Sequence, residues 1–328
     1  MKITVTQAQS GLRLDKFLVQ NLPGLGRAAA KRLFEKGRVR VYAEGSERGR
    51  KASKGDVVAA GEIIDIELSA EELTASALPD PDAPLKVVLE RPDVLVLEKP
   101  AGQPSAPLSA GERGTLANAL LARYPEVEEI GFSPREPGLC HRLDTDTSGL
   151  LLAARTQQAF EVLSTALKEG RLDKRYHLVC EARDLPEEGT IEIPLAPHPK
   201  DRRRVYPCIH PRDVARYAPR PAHTSYKVLR VHGDLALVEV KAPKALRHQI
   251  RAHFAAIEHP LVGDLLYGGR AVEGLTRHAL HACSIVWGGD SAVPAFHVVS
   301  PLPADICALV GEEPEAEAGA ASKAETKS

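Results

Sequence analysis

His141-Arg142-Leu143-Asp144-Thr145-Asp146-Thr147-Ser148-Gly149-Leu150-Leu151-Leu152 is the stretch whose reading decides the rest of the chain. Two carboxylates and an arginine stand just before a Thr-Ser-Gly turn, which opens into an apolar run ending near Ala154. Charges that feed a buried strand cost free energy unless they are paired or used. The stretch is therefore a site candidate on physical grounds alone.

Working outward, Gly149–Ala154 reads as a buried strand. Thr156 is placed to cap a helix that turns Phe160, Leu163 and Leu167 inward and is closed by Gly170. Upstream, Val87-Val88-Leu89 and Val94–Leu97 flank Arg91-Pro92-Asp93, a strand-turn-strand pattern, and Thr115–Arg123 has helical periodicity. Downstream, Tyr176–Val179 and Ala236–Val240 read as strands. Leu246–Ile257 reads as a helix with Leu246, Ile250, Phe254 and Ile257 on one face, and with Arg247 and Arg251 sharing another. Strands in groups with segregated helices favour an α+β fold with a mostly antiparallel sheet flanked by helices, although pattern alone leaves α/β open.

Residues 1–68 read as a separate small unit of two short helices, Leu12–Val19 and Arg27–Lys36, with strands around them. Ala30, Leu33 and Phe34 form an apolar stripe that leaves Arg27, Lys31 and Lys36 largely off it. Arg38-Val39-Arg40-Val41-Tyr42 alternates as a half-exposed strand does. Between Arg13 and Lys54 there are 12 Lys/Arg against 4 Asp/Glu, a basic surface inside a chain whose overall charge is only −1. Residues 69–84 are acidic and proline-rich, the composition of an extended, self-solvating linker. Residues 85–310 form the large segment, and the tail 311–328 has too little to bury to hold a fold.

The five cysteines are scattered without C-x-x-C spacing, which fits reduced thiols better than a disulfide framework or a metal site. No apolar run approaches the ~18 residues that a membrane span needs. The N-terminus lacks a signal-peptide core, so a cytoplasmic monomer is the expectation.

Four motifs in order then carry a resemblance. They are His141-Arg142-Leu143-Asp144 with Thr147-Ser148-Gly149, Lys174-Arg175-Tyr176, His248-Gln249-Ile250-Arg251, and His259-Pro260 with Gly263-Asp264 and Tyr267. Lys99-Pro100-Ala101-Gly102, Thr224-x-Tyr226 and Leu280-His281-Ala282 agree as well. In this order the chain resembles the RluA-type RNA pseudouridine synthases. Residues 1–68, through Arg13–Leu18, Lys31-Arg32-Leu33, Lys36–Val41 and Lys54-Gly55-Asp56, resemble a small α/β RNA-binding domain of the S-four-like type.

The first resemblance implies the pseudouridine synthase fold, with Asp144 as nucleophile toward a uridine at ribose C1′ or uracil C6. An aspartate needs no separate base for that role at neutral pH. It further implies that Arg251 pairs with Asp144, that Tyr176 packs on the target base, and that Arg142 fills the space left by the extruded nucleotide. The chemistry requires no metal or other cofactor. Asp146, at a variable motif position, is expected to be a turn residue.

The partner implied is structured RNA, ribosomal RNA foremost, gripped by Arg13, Lys16, Arg27, Lys31, Arg32, Lys36, Arg38 and Arg40 and by Arg202 and Arg203 of a basic loop. Transfer RNA as substrate, or a non-catalytic assembly factor on the same scaffold, stays open at this point. Two departures stand out: Ala245-Leu246-Arg247 replaces the usual Gly-Arg-Thr or Gly-Arg-Ser, and Glu258 replaces a glycine.

Overall fold

The alternation at Val39-Arg40-Val41 is physical: Val39 and Val41 are buried and Arg40 is exposed. A computed structural model describes residues 1–22, 25, 27–68, 76–109 and 111–311, and of residues 27–29 only the backbone. The chain divides into two compact units, Met1–Leu85 with Ser105–Leu139, and Lys86–Pro104 with Cys140–Ser328. The expected tail, apart from Gly311, lies outside the described residues.

In the first unit, β1 (Lys2–Thr4), β2 (Val39–Tyr42), β3 (Arg50–Lys51) and β4 (Ile63–Ile66) form an antiparallel sheet in the order β1-β4-β2-β3. Helices α1 (Leu14–Asn21) and α2 (Arg27–Glu35) bury Leu14, Phe17, Leu18, Leu33 and Phe34 against it. Among the described residues, the buried members of this core run from Val5 to Ile66, with Ile3 and Leu68 packed against them.

Helix α3 (Leu116–Arg123) belongs to the same unit, capped by Thr115 Oγ1, which accepts from the Asn118 amide. The Asn118 side chain donates to Leu78 O at 2.6 Å, and the Gly114 amide donates to Asp80 Oδ2 at 2.9 Å. Residues 76–80, read as part of a solvated linker, are therefore pinned, with Ala77 buried. Their backbone finds partners in a loop and a helix far along the chain, which composition does not register.

The second unit is built on a nine-stranded mixed sheet. Its strands are β5 (Lys86–Glu90), β6 (Val94–Lys99), β7 (Ser148–Ala154), β8 (Asp173–Glu181), β9 (Glu188–Ile191), β12 (Thr224–His232), β13 (Leu235–Lys241), β14 (Leu280–Trp287) and β15 (Phe296–Val299). Between β9 and β12, β10 (Leu195–Pro197) and β11 (Val205–Pro207) make a separate hairpin. The order is β5-β6-β7-β14-β8-β13-β12-β9, with β15 on β14. The β7–β14 pairing is parallel, and the other pairings described in the sheet are antiparallel. Helices α4 (Gln157–Glu169), α6 (Gln249–Ala256) and α7 (Ala304–Cys307) pack on it, and α5 (Pro211–Tyr217) meets Tyr206 of the β10–β11 hairpin. This is the mixed α+β architecture of a mostly antiparallel sheet.

Strand β7 is buried along its whole length, as a central strand of Leu and Ala should be. Thr156 Oγ1 caps α4, and Gly170, at φ +77°, ends it. At the other end of β7, Gly149 sits at φ +109° opposite Ala282. A Cβ there would stand 2.3 Å from Ala282 O, so this approach of β7 to β14 requires glycine. The turn that carries Asp144 thus opens directly onto the middle of the sheet.

Helix α6 starts at Gln249, not at Leu246 as periodicity predicts. His248 has φ +53°, in the left-handed region, and breaks the helix there. Arg247 therefore does not lie one turn before Arg251 on a shared face. A backbone reversal leaves no trace in hydrophobic spacing, so the pattern ran past the true start.

Candidate active site

Helix α6 is held by polar residues that face inward. Gln249, 2% exposed, donates to His223 O at 2.8 Å and to Thr224 Oγ1 at 3.0 Å. His253 bonds Ile193 O and Thr224 Oγ1, both at 2.8 Å. The carbonyl must accept, so His253 Nε2 carries the proton and Nδ1 takes the threonine hydroxyl. His-Gln-Ile-Arg is thus not the exposed polar edge that an amphipathic helix suggests by default. It anchors α6 to the start of β12.

That anchoring sets Arg251. Its Nε and Nη2 donate to the two oxygens of Asp264 at 2.6 and 2.8 Å, and its Nη1 donates to Asp144 Oδ2 at 2.9 Å. The side chains of Asp264 and Arg251 are 1% and 8% exposed, whereas that of Asp144 is 23% exposed. The buried fork with Asp264 fixes the guanidinium plane, and the third N–H then fixes the carboxylate that still meets solvent. Burial works against the arginine's charge, and the two carboxylates more than offset it, so its pKa is raised.

Tyr267 lies under this line, its ring centroid 5.2 Å from Arg251 Cζ. Its hydroxyl accepts the Val205 amide at 2.9 Å and lies 3.1 Å from His248 Nδ1. With the amide donating in, the phenol proton goes to Nδ1, so His248 carries its own proton on Nε2. Nε2 faces Asp144 Oδ2 across 3.6 Å. Burial lowers the His248 pKa although the Asp144 charge opposes it, which keeps the ring neutral at pH 7.

The turn bearing Asp144 is held from below. Lys99, fully buried at the end of β6, donates to Pro100 O, Gln103 O and Thr145 O at 2.9, 2.7 and 2.8 Å. Three acceptors match the three N–H bonds of an ammonium, while burial pulls its pKa to about 7. Thr147 Oγ1 meets His278 Nε2 at 2.8 Å, and Ser148 Oγ meets His281 Nδ1 at 2.9 Å. Arg277, locked on Asp305, reaches Asp146 O at 3.3 Å.

Tyr176, on β8 opposite Ala282, is 5% exposed. Burial first, and then the Asp144 charge, push its phenol pKa well up, so it stays neutral. Arg251 thus meets Asp144 directly, and Tyr176 lies within reach of the Asp144 charge. The Arg142 side chain is exposed beside the same turn, and the Asp146 side chain also faces solvent.

Arg202 and Arg203 are exposed on the turn between β10 and β11, Arg203 paired with Asp201 at 3.1 Å. In the first unit, Arg13, Lys16, Arg32, Lys36 and Arg40 are exposed and Arg38 is half-buried. Arg13 pairs with Asp15 at 2.9 Å and Lys31 with Glu129 at 3.2 Å. Of Arg27 only the backbone, at the start of α2, is described. Asp264, Tyr267, His248 and Lys99 take no separate role from sequence pattern. Each stands inside a quoted motif, and that was the available signal.

The model of the RNA pseudouridylate synthase family matches residues 93–256. The chain belongs to the RNA pseudouridine synthase family.

An uncharacterized RNA pseudouridine synthase of Chloroflexus aurantiacus is 38% identical over 314 residues, covering 93% of this chain and 90% of that protein. The ribosomal large subunit pseudouridine synthase D of Yersinia pestis is 33% identical, covering 86% and 85%. Among solved structures, human RNA pseudouridylate synthase domain containing 1 superposes with a TM-score of 0.53 at 26% identity, over 72% of this chain and 91% of that one. As a pseudouridine synthase the enzyme is an isomerase acting on RNA. Among the described residues, no helix is long and apolar enough to cross a membrane.

Proposed function

We propose that this pseudouridine synthase isomerises specific uridines in large-subunit ribosomal RNA, with Asp144 as the nucleophile. The observation that carries the second part is the Asp264–Arg251–Asp144 line: it leaves one carboxylate oriented and reachable while its partner is sealed. Attack at ribose C1′ or at uracil C6 calls for the same carboxylate. In either route the glycosidic C–N bond breaks, the uracil rotates and C5 bonds to the ribose. The C5 hydrogen then leaves to water as a proton, N1 takes one up, and the bond to Asp144 is broken again, which restores the carboxylate.

Tyr176, neutral and buried next to Asp144, offers an aromatic face to the extruded base. Such stacking is worth about 1–3 kcal/mol per base. Arg142, exposed beside the turn, takes the vacated place in the RNA and offsets part of an unstacking cost of a few kcal/mol. The names of the Yersinia relative and of similar proteins from Haemophilus ducreyi and Nitrosomonas europaea point to the large ribosomal subunit. The exposed basic residues of the first unit and the turn holding Arg202 and Arg203 suit a large folded RNA.

Tritium release from RNA carrying 5-tritiated uridine tests both parts. A large-subunit rRNA transcript should release tritium with the wild type and with Asp146→Asn, and not with Asp144→Asn. Release from a tRNA transcript instead would overturn the substrate, and release by Asp144→Asn would overturn the nucleophile. RNA bound tightly with no release from either transcript would favour an assembly factor.

A further inference from the structure

The departure Ala245-Leu246-Arg247 has a consequence in the fold. Arg247, exposed and just ahead of the left-handed His248, does not point along α6. Its Nη1 donates to Arg202 O at 3.0 Å and its Nη2 to Arg203 O at 2.6 Å. Those two carbonyls belong to the basic turn between β10 and β11.

The turn keeps its shape from within. His198 Nδ1 accepts the Lys200 and Asp201 amides at 3.3 and 3.0 Å, and Asp201 Oδ1 accepts the Arg203 amide at 3.0 Å. Such bonds set the shape of a turn and not its place. The base of the hairpin is held by two backbone bonds between Leu195 and Arg220 and by the Tyr206 hydroxyl on Asp213. Two outside partners then hold its outer end, Arg247 at the tip and the Tyr267 hydroxyl on the Val205 amide at 2.9 Å. Both outside partners are tied to the reaction centre. Arg247 adjoins His248, whose Nε2 faces Asp144, and the Tyr267 ring lies against Arg251.

We propose that Arg247 is a positioning residue that clasps the basic turn to the active site, so that RNA phosphates gripped by Arg202 and Arg203 place the uridine over Asp144. A guanidinium suits this role, because two N–H bonds on one rigid plane can take two successive carbonyls, which a lysine's point charge on a flexible stem does not reproduce. The proposal rests on the functional reading above and on the turn being an RNA grip.

The test is steady-state tritium release over a range of salt, from whichever of the rRNA and tRNA transcripts is turned over. The variants are Arg202→Ala with Arg203→Ala (the grip variant), Arg247→Ala, Arg247→Lys, and the grip changes combined with Arg247→Ala. Urea unfolding of each variant separates misfolding from misplacement.

The grip variant should raise KM and lower the salt slope by about one unit for each phosphate no longer neutralised. Arg247→Ala should raise KM about tenfold with kcat changed far less, and Arg247→Lys should not restore it. The combined variant should be little worse than either parent, since both changes disable one device.

Fully additive effects, or rescue by Arg247→Lys, would show a separate phosphate contact and overturn the clasp alone. A fall in kcat together with the urea midpoint would show a merely structural role and also overturn it. An unaffected grip variant would remove the clasp together with the RNA-grip reading. Release from neither transcript would instead strike the functional reading itself.

Discussion

Arg251 uses three N–H groups on two carboxylates, and burial decides what each does. The bond to Asp264 lies in a sealed place, where breaking an ion pair costs about 3–5 kcal/mol because a charge is stranded. Asp144 would remain as a partner, so Asp264→Asn should fall at the lower end. We expect a loss of about 3 kcal/mol in urea unfolding, with tritium release impaired as well. Arg251→Lys keeps the charge and loses the fork. One charge-assisted hydrogen bond is worth about 1.5–3 kcal/mol, so kcat/KM for release should drop by at least about tenfold. A near-wild-type Arg251→Lys enzyme would mean that orientation by the guanidinium plane is unimportant.

At the scale of elements, the start of β7 is clipped to β14 by Thr147–His278 and Ser148–His281. Burial pushes both imidazole pKa values down to about 4 from 6.5. Between those values the unfolded chain binds protons that the folded chain refuses. These histidines thus add stability above pH 6.5 that is lost progressively as pH falls toward 4. Urea midpoints measured from pH 7 down to 4 should decline over that window, and less steeply in His281→Gln.

The second departure from the family pattern is explained at this scale too. Glu258 stands at φ +68° directly after the cap of α6, with the His259 amide on Phe254 O and the Glu258 amide on Ala255 O. This is a Schellman ending whose left-handed position suits glycine. The strain of a side-chain-bearing residue there is about 1–2 kcal/mol, and glycine's greater freedom in the unfolded chain returns part of it. Glu258→Gly should therefore stabilise the protein by about 0.5–1 kcal/mol in thermal or urea unfolding.

For the whole molecule, the core formed by residues 5 to 66 carries a basic surface that the chemistry proposed for Asp144 does not need. Replacing Arg32 and Arg40, both exposed, with alanine should weaken RNA binding and leave kcat at saturating RNA intact. The salt slope should fall by about one unit for each phosphate that the arginines neutralise. Filter binding across a salt series measures the affinity and its slope, and tritium release measures kcat. Unchanged binding would return this surface to an ordinary solvated face. Residues 105–139 pack in this first unit, and residues 76–80 are pinned to its helix α3, neither of which composition suggests. An acidic, proline-rich segment reads as solvated whether or not a distant asparagine caps its carbonyls.

Local physics was legible wherever one element decided it. The apolar run of β7, the Thr156 and Gly170 ends of α4 and the alternation of β2 all follow from neighbours a few residues apart. The start of α6 was misread because one left-handed backbone angle at His248 has no counterpart in hydrophobic period. By itself, then, the amino-acid order determined the elements and the inventory of reactive groups. Tertiary structure decided which groups meet. Arg251 reaches Asp144 across 107 positions and Thr147 reaches His278 across 131, distances over which no periodicity survives. Only the packing of strands and turns around a buried charge selects those partners, because only there does leaving it alone cost more than ordering the chain.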